Sequence, residues 1–422
     1  MSITILKGNI VSTPSFGKLD IIENGYLVAE NGIIQGAFQN LPEKYSCCPV
    51  EDYSDDLILQ SFADLHLHAP QYPMLGIGMD LPLLDWLNTY TFPTESKFSD
   101  SDYAREVYRE LAKELAENGT TRVCMFSSLH REATLILMEE LENAGITGYV
   151  GKVNMDRNSG SLLRETTNES IEETLRWLEE CKHFKYIKPI ITPRFTPSCS
   201  NELLEALGKI AKAHHLPIQS HLSENTREIS WVQDLHPDCT HYWQTYKKYN
   251  LWNDKTLMAH CVWSDTEEQI SIKEAGVTAV HCADSNQNLI SGVAPVKKML
   301  SNGIKVALGS DIAGGDHLCM FDVIASTIRA SKARRILDNW NTDFLSVPEA
   351  LFLGTSAGAE FFGEQPGFAP GNPLHAILLQ DNKLISSPEI SIRERVERSI
   401  YRRQPDAIKA VWSAGRKIYS RD

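Results

Sequence analysis

Between residues 57 and 308 the chain alternates short extended runs with helical patterns, and this alternation limits its possible folds more than any other feature. The extended runs cover 57–67, 121–126, 148–154, 187–195, 217–220, 256–260, 278–281 and 305–308, eight in all. Helical patterns with recognisable ends lie between them, at 101–117 before Asn118-Gly119, 131–143 before Gly145, 170–182, 201–214, and 266–275 before Gly276. Gly or Asn just past the last turn takes the left-handed conformation that closes a helix. Eight strands interleaved with helices predict an α/β fold, a (β/α)8 TIM-like barrel with its active site at the carboxyl ends of the strands.

The flanks read differently. Runs at 3–6, 10–12, 25–30 and 33–37 are short and extended, and Asn31-Gly32 is a hairpin signal. Beyond helical stretches at 322–339 and 348–362, Pro366-Gly367 leads to Ala376-Ile377-Leu378-Leu379, extended again. Neither flank can hold a core alone, because a small isolated sheet is marginal in water. We therefore expect 1–56 and 366–422 to build one small β-sandwich domain beside a barrel of 57–365.

Metal-friendly side chains fall at the strand ends. His66 and His68 close the first run, His221 the fifth, His260 the sixth, His281 the seventh, and Asp311 follows the eighth. Side chains two apart on a strand share a face, so His66 and His68 can grip one ion. Neutral imidazoles with one carboxylate suit Zn2+ or Fe2+, which activates a bound water by lowering its pKa toward about 7. Glu224, three residues past His221, is placed to carry a proton between water and substrate without ligating.

Composition removes other classes. A net charge of -14 opposes binding to a phosphate backbone, so nucleic acid is not an expected partner. No run reaches the roughly 18 apolar residues of a membrane span, and the first residues lack the sectors of a signal peptide, so a cytoplasmic location is expected. Nine cysteines form no Cys-x-x-Cys pair and read mostly as small buried hydrophobes. His130-Arg131-Glu132 reads as a helix start, His214-His215 as a helix end, and Gly314-Gly315 as a tight turn.

The stretch Asp64-Leu65-His66-Leu67-His68, His221 with Glu224, His260 and Gly309-Ser310-Asp311 resemble the amidohydrolase superfamily in its mononuclear deaminase branch. Within it, His68-Ala69-Pro70-Gln71-Tyr72, Asp80 to Leu87, Tyr90-Thr91-Phe92-Pro93-Thr94-Glu95, Pro193-Arg194-Phe195 and Ser310 to Gly315 look like the guanine deaminases, over most of 57–365. The resemblance implies one zinc or iron ion on His66, His68, His221 and Asp311, with Glu224, His260 and Asp311 as catalytic residues. It implies guanine as substrate, bound by Gln71, Arg194 and Phe195, with Trp86 and Phe92 as candidates to flank the base, and it implies a homodimer. The pattern departs at Gln60-Ser61, where many relatives carry Pro-Gly, and at His281-Cys282-Ala283, where they carry His-Cys-Pro. Two other readings stay open: a deaminase of another aminated heterocycle (8-oxoguanine, a pterin or cytosine), and a non-catalytic scaffold. A binuclear site would use a modified lysine at the fourth strand end, but Ile191-Thr192-Pro193-Arg194 offers none and Lys188 lies too far back.

Overall fold

The computed structural model describes residues 2–160, 162–381, 390–402, 404 and 406–421. The chain begins with β1 (Ile3–Ser15), β2 (Lys18–Glu30), β3 (Ile33–Phe38) and β4 (Glu51–Gln60). It continues with β5 (Phe62–His68), β6 (Thr120–Phe126), β7 (Thr147–Gly151), β8 (Val153–Asn154), β9 (Ile187–Pro189) and β10 (Thr192–Pro193). Then come β11 (Ile218–Leu222), β12 (Thr256–His260), β13 (Thr278–His281) and β14 (Lys305–Leu308), and finally β15 (Ala376–Leu379), β16 (Ile408–Ser413) and β17 (Arg416–Ser420).

Every pairing among β5 to β14 is parallel. One four-stranded sheet runs β5-β6-β7-β9, another runs β11-β12-β13-β14, and β8 pairs with β10. A parallel bridge joins Ile191 to Ile218, between the two sheets. On the other side, Asp311 N donates to His66 O at 2.8 Å and His68 N donates to Ile312 O at 3.1 Å. Ala63, Leu65, Cys124, Leu257, Ala259, Val280 and Ala307 form one buried cluster from five strands, most at alternate positions. In β6 and β12 to β14 the period of two sends that set to one face and Val123, Met125, Met258, Ala279 and Val306 to the helix-packed side, whereas in β5, at a register irregularity, Asp64 and His66 serve the strand-end junction instead.

Helix boundaries follow the caps. Ser101–Glu117, Arg131–Asn143, Asn201–His214 and Thr266–Ala275 stand where the sequence places them, and His215 and Gly276 close two of them with φ of 55° and 73°. His130 precedes the second as its N-cap residue. The long extended runs fare less well. The run 57–67 is two strands that meet at Ser61 and lie in different sheets. The run 148–154 breaks at Lys152, whose fully buried ammonium pairs with Glu165 at 2.7 Å, and the run 187–195 breaks at 190–191.

Strands from both flanks share one seven-stranded sheet, ordered β17-β16-β15-β4-β1-β2-β3. Here β1 pairs in parallel with β4, while β15 is antiparallel to both β4 and β16. Arg122, only 2% exposed, ties β6 to the β4–β5 junction: its guanidinium meets Glu364 at 2.7 Å and Ser61 O at 2.6 Å. Seven cysteines are buried, with Cys47 and Cys48 the exceptions. No described helix is long and apolar enough to cross a membrane.

Candidate metal centre and active-site cavity

Strand β5 delivers His66 and His68, β11 presents His221, and β12 ends on His260; all are buried except His221, which is nearly so. Asp311 arrives through Gly309-Ser310 after β14. Only glycine fits at 309, because an added Cβ would stand 2.7 Å from His66 Cβ and 2.9 Å from His66 O. Asp64 also holds this junction, its Oδ1 accepting from Ser310 N at 3.0 Å and from His66 N at 3.3 Å. Burial pushes the Asp64 carboxyl up to about 7. Ser223, His260, Cys261 and Asp311 have φ of 47°, 74°, 49° and 50°. Non-glycine residues held in this region cluster where surrounding structure over-determines the backbone, as at active sites.

The donor atoms converge at ligand-shell spacing. His66 Nε2 lies 3.2 Å and His68 Nε2 3.5 Å from Asp311 Oδ1, and His68 Nε2 lies 3.1 Å from His221 Nε2. A tetrahedral shell with bonds of about 2.0–2.1 Å has edges of roughly 3.3–3.4 Å. His66 Nε2 is buried without a hydrogen-bond partner of good geometry, an orphaned donor aimed into this shell. His221 Nδ1 donates to Arg194 O at 2.6 Å, which fixes the tautomer and frees Nε2 for a ligand. Burial, with neighbouring imidazoles, holds His68 and His221 well below the usual imidazole range, and burial lowers His66 as well. Burial opposes ionisation of Asp311, but His66 and His260 outweigh it and hold the carboxyl below its ordinary value. Three neutral nitrogens and an ionised oxygen are the protonation states that ligation needs, so these residues fit a divalent ion.

Further titratable groups adjoin the shell. His260 Nε2 lies 3.5 Å from Glu224 Oε2 and 3.7 Å from Asp311 Oδ2, and His260 Nδ1 donates to Asn286 Oδ1 at 2.9 Å. Burial raises the Glu224 carboxyl, while Ser291 Oγ donates to its Oε1 at 2.8 Å. Burial lowers His260, yet the carboxylates of Glu224 and Asp311 outweigh that and raise it. Glu228 backs this arrangement, accepting from Glu224 N at 3.1 Å and from Tyr242 Oη at 2.7 Å.

A cavity opens onto these groups, walled by Gln71 and Arg194 on its polar side and by Leu83, Trp86, Leu87 and Phe195 on its apolar side. The larger cavity at Tyr149, Lys255 and Lys305 lies at the opposite ends of the strands, away from the donors. Phe92 stands behind the wall, with the Arg194 guanidinium 5.3 Å from its ring centroid, and is not among the residues lining the cavity. His281 is buried and belongs to neither donor group. Lys188 is exposed and donates to Phe184 O, away from the donors.

Four contributors carry no role in the sequence reading, although two of them stand in its quoted motifs: Asp64, Glu95, Phe126 and Glu228. Phe126 ends β6 and packs its ring 4.6–5.0 Å from those of His66, His68 and His221. The strand-end rule applied to the second run would have found it. Glu228 was hidden as the capping-box partner of Asn225.

Residues 57–416 match the Amidohydrolase family. The guanine deaminase of Dictyostelium discoideum is 38% identical over 377 residues, 85% of this chain and 84% of that protein. The guanine deaminase of Rattus norvegicus is 40% identical over 339 residues, 79% of this chain and 74% of that protein. A crystal structure of guanine deaminase from C. acetobutylicum, with guanine in its active site, superposes with a TM-score of 0.97 at 43% identity, covering 99% of this chain and 100% of that one. The chain belongs to the amidohydrolase family.

Proposed function

We propose that this protein is a guanine deaminase, converting guanine and water to xanthine and ammonia. The observation that carries the reading is the convergence of His66, His68, His221 and Asp311 beside Glu224 and His260, at the foot of a cavity walled by Gln71 and Arg194. The likeness to guanine deaminases over most of the chain names the substrate.

His66, His68, His221 and Asp311 hold one ion, Zn2+ or alternatively Fe2+. When bound, it supplies Lewis acidity that makes water nucleophilic near neutral pH. Arg194 donates to the purine carbonyl oxygen, and the Gln71 amide, with the backbone near Phe195, meets the ring edge. Trp86 offers an apolar face to the base, while Phe92 acts from behind Arg194. Glu224 passes a proton to a ring nitrogen and Asp311 accepts one from the water; His260 hydrogen-bonds the developing tetrahedral centre. Water adds at C2, the exocyclic nitrogen leaves as ammonia, and a carbonyl remains.

The parallel strands are read as a closed (β/α)8 barrel, supported by the hydrogen bonds of Asp311 and Ile312 to β5 and by the Ile191–Ile218 bridge. The small β-sandwich domain expected from 1–56 and 366–422 is read onto the shared terminal sheet, with its boundary to the barrel moved from 57 to Ser61 because β4 (Glu51–Gln60) pairs within that sheet. A homodimer, on family resemblance, and a cytoplasmic location, on the sequence pattern, complete the proposal.

Incubation with guanine is expected to shift the ultraviolet spectrum toward xanthine as ammonia accumulates. A flat trace in metal-replete protein rejects this substrate, and turnover of cytosine or a pterin instead selects the other deaminase reading. Metal analysis is expected to return one divalent ion per chain. Chelation should abolish turnover and Zn2+ or Fe2+ restore it; full activity in metal-free protein would overturn the ligand assignment.

A further inference from the structure

Glu95 does not line the cavity, yet it grips both polar residues that do. Its carboxylate is fully buried; Oε2 accepts from Arg194 Nη1 at 2.6 Å and Oε1 accepts from Gln71 Nε2 at 2.9 Å. Gln71 Oε1 in turn accepts from Ala313 N at 3.1 Å, two residues beyond Asp311. A carboxylate can only accept, so it forces the Gln71 nitrogen toward itself and the oxygen toward Ala313. The amide cannot turn over without placing oxygen against oxygen and N–H against N–H. One amide proton, one oxygen lone pair and the remaining guanidinium protons are then left to meet a ligand, in a fixed order.

The same contact sets charge. Arg194 is 3% exposed and carries a full positive charge, and Glu95 is the carboxylate that bonds it directly. With the pair intact, the wall is neutral and donor-rich, suited to an uncharged base. Without Glu95 the guanidinium faces the cavity uncompensated, and an anionic ligand gains the attraction that the carboxylate now cancels.

We infer that Glu95 is a positioning and specificity residue that orders the Gln71 amide and neutralises Arg194, so that the cavity selects a neutral aminated purine over an anionic oxopurine. This rests on the guanine deaminase reading and adds to it the residue that enforces substrate charge.

The test compares Glu95→Gln and Glu95→Asp with the wild type in steady-state guanine turnover, with urate, an oxopurine anionic near neutral pH, as the inhibitor. Glu95→Gln is expected to raise KM for guanine about tenfold or more while kcat falls less, and to tighten urate inhibition about tenfold. Glu95→Asp keeps the charge but cannot span both partners: KM is expected to rise about fivefold or more with urate inhibition unchanged. General loosening of the fold would weaken both ligands together. An unchanged KM in Glu95→Asp, or unchanged urate inhibition in folded Glu95→Gln, overturns the inference; if Glu95→Gln fails to fold, the Glu95→Asp result decides. Should the wild type itself fail to turn over guanine, the substrate reading falls, whatever the variants do.

Discussion

Glu224→Gln is expected to keep its metal ion and lose guanine turnover by roughly 10²- to 10⁴-fold, the usual contribution of a positioned acid-base group. Gln has the same shape and its oxygen can still accept from Ser291 Oγ, which bonds Glu224 Oε1 at 2.8 Å in the native protein. What it lacks is an exchangeable proton of suitable acidity. Because Glu224 stands outside the ligand shell, the loss should appear in kcat with metal content unchanged. His260, 3.5 Å away, is poorly placed to substitute, since it already faces Asp311 Oδ2 at 3.7 Å. Turnover within about threefold of wild type in a metal-replete variant would remove Glu224 from its role.

The second large effect concerns stability. Arg122→Met is expected to cost about 3–5 kcal/mol, because Glu364, 11% exposed at its side chain, is left without the guanidinium 2.7 Å away. The same change strips Ser61 O of its donor at the β4–β5 junction. That is a large part of a total stability of about 5–15 kcal/mol. Adding Glu364→Gln should recover part of the loss, since the uncompensated carboxylate is then gone. Denaturant midpoints of the single and double variants measure both effects. An Arg122→Met protein as stable as wild type would show that the pair contributes nothing.

Legibility of the chain followed the range of the interactions concerned. Helices such as Ser101–Glu117 and Thr266–Ala275 were readable to the residue because caps and terminal glycine act within a few positions. The strands containing His66, His260 and His281 were found from short apolar runs bounded by turns, and the ligand candidates from the strand-end rule. The run 57–67 deceived because buried strands carry no period that marks a change of sheet; only the pairing of β4 with β1 and β15 reveals the break at Ser61. Glu95 was unreadable for a different reason. Its partners lie 24 and 99 positions away, and a single carboxylate ending Tyr-Thr-Phe-Pro-Thr-Glu gives no local hint of them. The order of the seven-stranded sheet was hidden by the same distance.

The position of β4 between β1 and β15 has a consequence for how the molecule is made. Its second neighbour lies roughly 300 residues downstream, so that edge stays unpaired while the ribosome produces the intervening chain. The histidine-bearing strand β5 leaves β4 through a single residue, Ser61, but takes its own neighbours from β6 and from residues 311–312, which are made before β15. Closure around β5 should accordingly wait only for Asp311, while the sheet that carries β4 is completed after β15.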